Sequence, residues 1–179
     1  MTSAVLVIDV QQGLCEGEGA PFDCAGTITR INRVTQKARS AGVPVIFVQH
    51  ESPADYLVHG SAAWQLAAGL DVQPGDIKIR KTTPDSFLRT DLEARLRALG
   101  VDEIVICGMH SEFCVDTTAR KALALGFPVV LVSDAHTSAG NAAIAAQQVI
   151  AHHNATLTNI SSFGPRVRAV GSEALAFAA

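Results

Sequence analysis

Apolar residues along the chain fall into short continuous runs separated by segments of helical period. Five of the runs are rich in β-branched residues: AVLVIDV (4–10), VPVIFVQ (43–49), DIKIRK (76–81), EIVICGM (103–109) and PVVLVSDA (128–135). ATLTNI at 155–160 reads as a sixth. Most are continuous rather than alternating, the pattern of parallel strands covered on both faces. Helical segments lie between them. Residues 27–40 run up to the stop signal Gly42. Thr90 and Glu93 predict a capping box ahead of Leu92, Leu96 and Leu99, with Gly100 ending that helix. Val115, Thr118, Ala119, Ala122 and Leu123 form one face of a helix ended by Gly126. The alanine-rich segment 140–152 predicts another, with His152 and His153 at its C-terminal end, where cations suit the helix dipole. Strands alternating with helices across residues 1–179 predict one α/β domain with a parallel sheet.

Residues 50–75 (HESPADYLVHGSAAWQLAAGLDVQPG) break the alternation. They are rich in turn residues and carry the only Trp and the only Tyr. They read as a surface excursion after the second strand, with one short helix near Trp64. Long loops at strand C-termini build pockets.

Composition narrows the classes. The chain has 179 residues, 48% of them hydrophobic but only 5% aromatic, so the core is aliphatic. Net charge is −3, with both signs scattered, so neither nucleic acid nor an anionic membrane is an expected partner. No apolar run approaches the ~18 residues of a membrane span, and MTSAVLVIDVQQG lacks a basic n-region, so a cytoplasmic protein is expected. The four cysteines (Cys15, Cys24, Cys107, Cys114) show no CxxC spacing and are expected to be reduced. VLVIDVQQGLCEGEG has no GxGxxG, and no GxSxG occurs, which excludes a dinucleotide-binding or serine-hydrolase reading.

Ligands of open parallel sheets bind beyond the carboxyl ends of the strands. The polar residues there are Asp9 and Gln11; Gln49, His50 and Glu51; Lys81; the turn GMHSEFC; and Ser133 with Asp134. Cys114 alone reads as a packed thiol or as a nucleophile. Ser111 as N-cap would place Cys114 in a first helical turn, where N–H groups and the dipole favour the thiolate. Lys81 would lower its pKa further. Asp9 follows a run of hydrophobes, where a carboxylate needs a partner.

The combination resembles the isochorismatase-like hydrolase superfamily, the cysteine hydrolases that include nicotinamidase and N-carbamoylsarcosine amidohydrolase. The resemblance spans roughly residues 4–160 and rests on VLVIDVQ (5–11), RKTTPDSFLRTDLEARLRALGV (80–101) and IVICGMHSEFCVDTTARKAL (104–123). It implies a three-layer αβα, Rossmann-like fold with a six-stranded, mostly parallel sheet. It implies a catalytic triad of Asp9, Lys81 and Cys114 that cleaves a small amide, ureide or lactam through a thioester. It also implies an oxyanion hole from the backbone N–H groups of His110 and Cys114, beside a cis bond between Met109 and His110, and a homo-oligomer.

Departures sharpen the reading. The family often has Gly-Val-Ala-Thr where this chain has Gly-Met-His-Ser, so His110 brings a large side chain to the oxyanion site. Metal-binding relatives carry Asp-x-His after the second strand. Here His50, Glu51, Asp55 and His59 do not fit that spacing, and neither metal nor cofactor is expected. Isochorismatases proper have Asp at the Cys114 position, so cysteine favours C–N hydrolysis. Pocket candidates are Gln11, Gln49, His50, Trp64, Phe87, His110 and Phe113, with core the favoured reading of Phe87 and Phe113 because aromatics near helix starts usually pack.

Overall fold

In the computed structural model, residues 1–54 and 56–177 are described. The continuous apolar runs form β1 (Ser3–Ile8), β2 (Val45–His50), β3 (Ile77–Lys81), β4 (Glu103–Met109) and β5 (Val129–Thr137), and β6 is Val167–Val170. They make one sheet of order β3-β2-β1-β4-β5-β6 with every pairing parallel. The helices are α1 (Gln12–Cys15), α2 (Cys24–Ser40), α3 (Leu92–Ala98), α4 (Asp116–Ala124) and α5 (Ala146–Asn159).

Continuous runs are apolar on both faces because both faces are covered. Val5 and Val7 of β1 pack with Ile31, Val34 and Ala38 of α2. Ala4, Leu6 and Ile8 pack on the other side with Leu92 and Leu96 of α3, Ala119 and Ala122 of α4, and Leu157 of α5. This gives the expected three layers. The chain proceeds from β1 outward to β3, then returns to β4 on the other side of β1. The strand order therefore reverses between β1 and β4, which opens a crevice at their carboxyl ends.

Three elements differ from the sequence expectation. The helix expected at 140–152 begins at Ala146 and runs to Asn159, through the expected sixth strand at 155–160. Asn141 Oδ1 accepts from the backbone N–H groups of Ala143 and Ile144, which holds residues 141–144 in a turn. Gln148 Oε1 then accepts from the Ala145 N–H and starts the helix there. Burial of Leu157 against the sheet overrides the β-branched composition of ATLTNI, and the sixth strand is Val167–Val170. His152 and His153 accordingly sit inside α5, not at its end. Near Trp64 the chain makes turns rather than a helix. That segment is tied instead to the end of β1: Gln12 and Gly13 donate to the carbonyls of Gln65 and Ala63 at 2.8 Å, and Gln11 bridges Leu66.

Gly108 sets the approach of β4 to β1. Its φ is +116°, and a Cβ there would lie 2.1 Å from the Ile8 carbonyl oxygen. Gly108→Ala is expected to cost about 4 kcal/mol or more, the range of core disruptions, measured by urea unfolding. Gly42→Ala, at φ +70° in open space, is the control; only the left-handed backbone penalty of about 1–2 kcal/mol applies.

Candidate active site

β1 ends at Ile8, and Asp9 leaves the strand with φ 53°, a left-handed conformation that Asp tolerates better than most residues. Its N–H still donates to the Val48 carbonyl at 2.9 Å, so the reversal happens inside the sheet edge. Lys81 is the last residue of β3, paired in register with His50 at the end of β2. On this edge strand Lys78 and Arg80 are exposed while Ile79 and Lys81 are buried. The pleat thus sends one lysine into the crevice and leaves its neighbours outside.

Asp9 and Lys81 are each 1% exposed. Lys81 Nζ has Asp9 Oδ2 at 2.6 Å, the Thr83 carbonyl at 3.1 Å, His50 Nδ1 at 3.2 Å and Cys114 Sγ at 3.3 Å. An ammonium has three N–H bonds, so these acceptors share them, and the thiol sulfur is the most distant. The second oxygen of Asp9, Oδ1, is buried without a hydrogen-bond partner, so its acceptor capacity is unused. Asp9, His50 and Cys114 place three ligand-type atoms within 4.8 Å of one another. The Lys81 ammonium hydrogen-bonds all three residues and is the cation of that cluster. The other imagined metal ligands are elsewhere. Glu51 pairs with Arg80 at 2.7 Å, and His59 meets Trp64 edge-on at 4.6 Å. Asp55 lies outside the described residues.

The turn after β4 differs from a simple helix start. Ser111–Val115 is a π-helical turn with His110 as its N-cap residue, and α4 begins only at Asp116. The Met109–His110 peptide is cis. Ser111 does not cap. It is fully buried, and its Oγ is 2.7 Å from His136 Nδ1 at the end of β5. His136 Nε2 donates to Asn154 Oδ1 at 3.1 Å, because Asn154 Nδ2 is committed to the Ser133 carbonyl. Nδ1 is therefore the unprotonated nitrogen and accepts from Ser111. The sequence offered no role for His136; only the sheet brings it under the turn.

The expected thiolate is corrected. Burial, followed by the Asp9 charge, pushes the Cys114 thiol up to about 12, and Lys81 only partly opposes them. The reason is electrostatic balance: Asp9 already neutralises the ammonium, so a thiolate would add an uncompensated negative charge to a buried site. Burial, then the Lys81 charge, holds His50 below its usual range, and burial does the same for His110.

A cavity of 320 Å³ opens beside the turn. His110, Glu112 and Phe113 form one wall, Gly13, Leu14 and Glu16 of the α1 segment another, and Tyr56 contributes from the 50–75 loop. Cys114 is half-buried and is not among the residues that line it. His110 and Phe113 meet edge-on at 6.4 Å, with Phe113 58% exposed, so Phe113 is a wall residue and not core. Four pocket candidates lie away from this cavity. Phe87 stacks on Phe127 at 6.5 Å in the core. Gln11 is fully buried and clamps the backbone: Oε1 accepts from His50 N–H at 2.8 Å, and Nε2 donates to the carbonyls of His50 and Trp64. Gln49 Nε2 also donates to the Trp64 carbonyl, at 3.0 Å. With Trp64 it lines a different hollow beside Lys78, because successive strand residues point to opposite faces. Leu14 and Glu16 had no chemical signal in the sequence that would have placed them at a pocket, whereas Tyr56 belongs to the long loop and Glu112 to the strand-end turn that did.

Residues 3–162 match the isochorismatase domain family, and the chain belongs to that family of hydrolases. It is 38% identical over 136 residues to streptothricin hydrolase of Streptomyces noursei, covering 75% of this chain and 49% of that protein. The chain thus spans about half the length of that relative. It is 31% identical over 179 residues to a ureidoacrylate amidohydrolase of Variovorax paradoxus, covering 79% of this chain and 71% of that protein. A crystal structure of an isochorismatase family protein matches with a TM-score of 0.87 at 33% identity, over 95% of this chain and 98% of that one. Among the described residues no helix is long and apolar enough to cross a membrane.

Two measurements follow. Lys81→Met strands the Asp9 carboxylate in the interior and is expected to cost about 3–5 kcal/mol in urea unfolding, with Asp9→Asn/Lys81→Met recovering much of the loss. His136 is 2% exposed, and burial holds it below its free value of 6.5. Below that pH the unfolded chain takes up a proton that the native state does not, so stability falls as pH drops. Thermal unfolding between pH 7.5 and 5 is expected to show the fall, and His136→Gln to reduce its slope.

Proposed function

We propose that the protein is a cysteine hydrolase that cleaves a C–N bond of a small amide, ureide or lactam. The observation that carries this reading is the contact of one buried ammonium with both a carboxylate and a thiol, at the point where the strand order reverses. Asp9 acts as general base and takes the Cys114 proton as the substrate arrives. The sulfur attacks the carbonyl carbon, and the C–S bond forms as the carbonyl π pair moves to oxygen. The His110 and Cys114 backbone N–H groups stabilise that oxyanion. Collapse breaks the C–N bond, and protonated Asp9 delivers its proton to the departing nitrogen. Water, deprotonated by Asp9, then hydrolyses the thioester and restores the thiol.

Lys81 stays charged throughout. It pairs with Asp9 and is positioned to stabilise negative charge on sulfur as the proton leaves. His50 accepts from Lys81 and orients it. His110, Phe113 and Tyr56 contact the substrate in the adjoining cavity. A relative that is an amidohydrolase supports C–N rather than vinyl-ether cleavage.

Ammonia release from a panel of small primary amides and ureides, together with ring opening of small lactams, tests the reading. Turnover of at least one is expected, with Cys114→Ala inactive and Asp9→Asn slowed about 100- to 10,000-fold. Turnover of a vinyl ether with no amine or ammonia from any amide would reject it. Because Cys114 rests as a thiol, iodoacetamide at pH 7 is expected to label it more slowly than it labels glutathione; mass spectrometry of the alkylated peptide reads this directly.

A further inference from the structure

The cavity beside the active-site turn has a chemical character that the proposed reaction leaves unused. The acidic and basic side chains that line its 320 Å³ are those of Glu16, Glu112 and His110, with no lysine or arginine among the described residues there. Neither glutamate takes part in an ion pair among the described residues. Burial holds His110 below its usual range, which disfavours a compensating positive charge on that wall.

Glu112 is built into the wall. It lies on the π-helical turn Ser111–Val115, two residues before Cys114, and is half-buried. Its Oε1 accepts from Ser138 Oγ at 2.7 Å, and that oxygen in turn accepts from the Gly140 N–H at 2.9 Å. Ser138 is fully buried, so the carboxylate is fixed at the exit of β5. Glu112 Oε2 is buried and has no hydrogen-bond donor among the described residues. A partly desolvated carboxylate with one unsatisfied oxygen and no counter-ion is unfavourable until a ligand supplies the missing charge. On the α1 wall, Glu16 is exposed and accepts from Gln12 Nε2. Phe113 and Tyr56, 58% and 56% exposed, add aromatic surface to the same cavity, and ring faces attract cations.

We propose that this cavity selects substrates carrying an organic cation, an alkylammonium, at the end remote from the scissile amide. The proposal rests on the hydrolase reading and narrows its substrate class. Glu16, being exposed, takes the ammonium directly. Glu112 acts through its charge, because its oxygens are held by Ser138 or covered. Among the described residues the one group of three metal-ligand side chains is Asp9, His50 and Cys114, so the two glutamates and His110 do not converge on a metal ion. A negative potential in a partly enclosed cavity raises the local concentration of a cation and repels an anion. Glu112 and Cys114 share one turn, so the cation and the carbonyl under attack are placed by the same five residues.

Three amides of similar length separate the charges: 6-aminohexanamide is cationic, hexanamide neutral and the monoamide of adipic acid anionic. Binding is measured by calorimetry on Cys114→Ala, so that it does not depend on turnover. 6-Aminohexanamide is expected to bind about 10-fold or more tighter than hexanamide, with the adipic monoamide weakest. Glu112→Gln removes the charge but keeps an oxygen for Ser138, and is expected to reduce the cation preference about 10-fold. Glu16→Gln, on a separate element, is expected to reduce it independently, which keeps the test decisive where the Glu112 variant fails to fold. Glu18→Gln, exposed and outside the cavity lining, is expected to leave it unchanged. In the wild-type protein the same order is expected in kcat/KM for ammonia release. A cation preference in binding without ammonia release from any of the three supports the cavity assignment and counts against the hydrolase reading alone. Equal affinity for 6-aminohexanamide and hexanamide, no binding of 6-aminohexanamide, or a preference that neither glutamate variant alters overturns the proposal.

Discussion

A buried ammonium needs acceptors, and the site is organised around that need. Lys81 arrives on an edge strand, 1% exposed, and finds a carboxylate, an imidazole nitrogen, a backbone carbonyl and a thiol around its nitrogen. Each comes from a different connection at the carboxyl edge of the sheet. Removing any strand from the β3-β2-β1-β4 order would separate the ammonium from a partner and leave a charge without compensation in the interior. The ion pair with Asp9 also decides the state of the sulfur. Burial and the Asp9 charge together push the Cys114 thiol up, and Lys81 only partly opposes them.

The surrounding structure holds this arrangement in place. Gln11 clamps the backbone at His50 and Trp64, tying the long 50–75 excursion to the end of β1. His136 and Asn154 hold Ser111 from below, so the turn bearing Cys114 rests on β5 and α5. Gly108 lets β4 approach β1 closely enough for Asp9 and the turn to face each other. These are backbone-positioning devices: polar groups buried at the sheet edge and each satisfied by a specific partner.

Much of this could be read along the chain. Continuous β-branched runs predicted a parallel sheet covered on both faces, and β4 appears at the expected residues, Glu103–Met109. Asp9, Lys81 and Cys114 stood out because strand ends carried charges or a thiol where hydrophobes had just ended, and the structure brings those three together. The misread elements share a cause. ATLTNI looked like a strand because its residues favour one locally, yet burial of Leu157 under the sheet makes it helical. Gln11, Gln49, Trp64 and Phe87 looked like pocket residues from their positions, but what each faces is set by contacts between distant segments, such as Gln11 with the His50 and Trp64 backbone and Phe87 with Phe127.

The sequence by itself determined the layered α/β architecture and the residue types at the strand ends, because periodicity and turn chemistry act over a few residues. Only the tertiary structure decided that Cys114 sits beside Asp9 and Lys81, that His136 supports its turn, and that Phe113 lines a cavity while Phe87 does not. Each of these depends on desolvation or on contacts between segments distant along the chain or separated by a turn. The free energy of a buried charge or thiol is set by everything packed around it, and no local pattern carries that information.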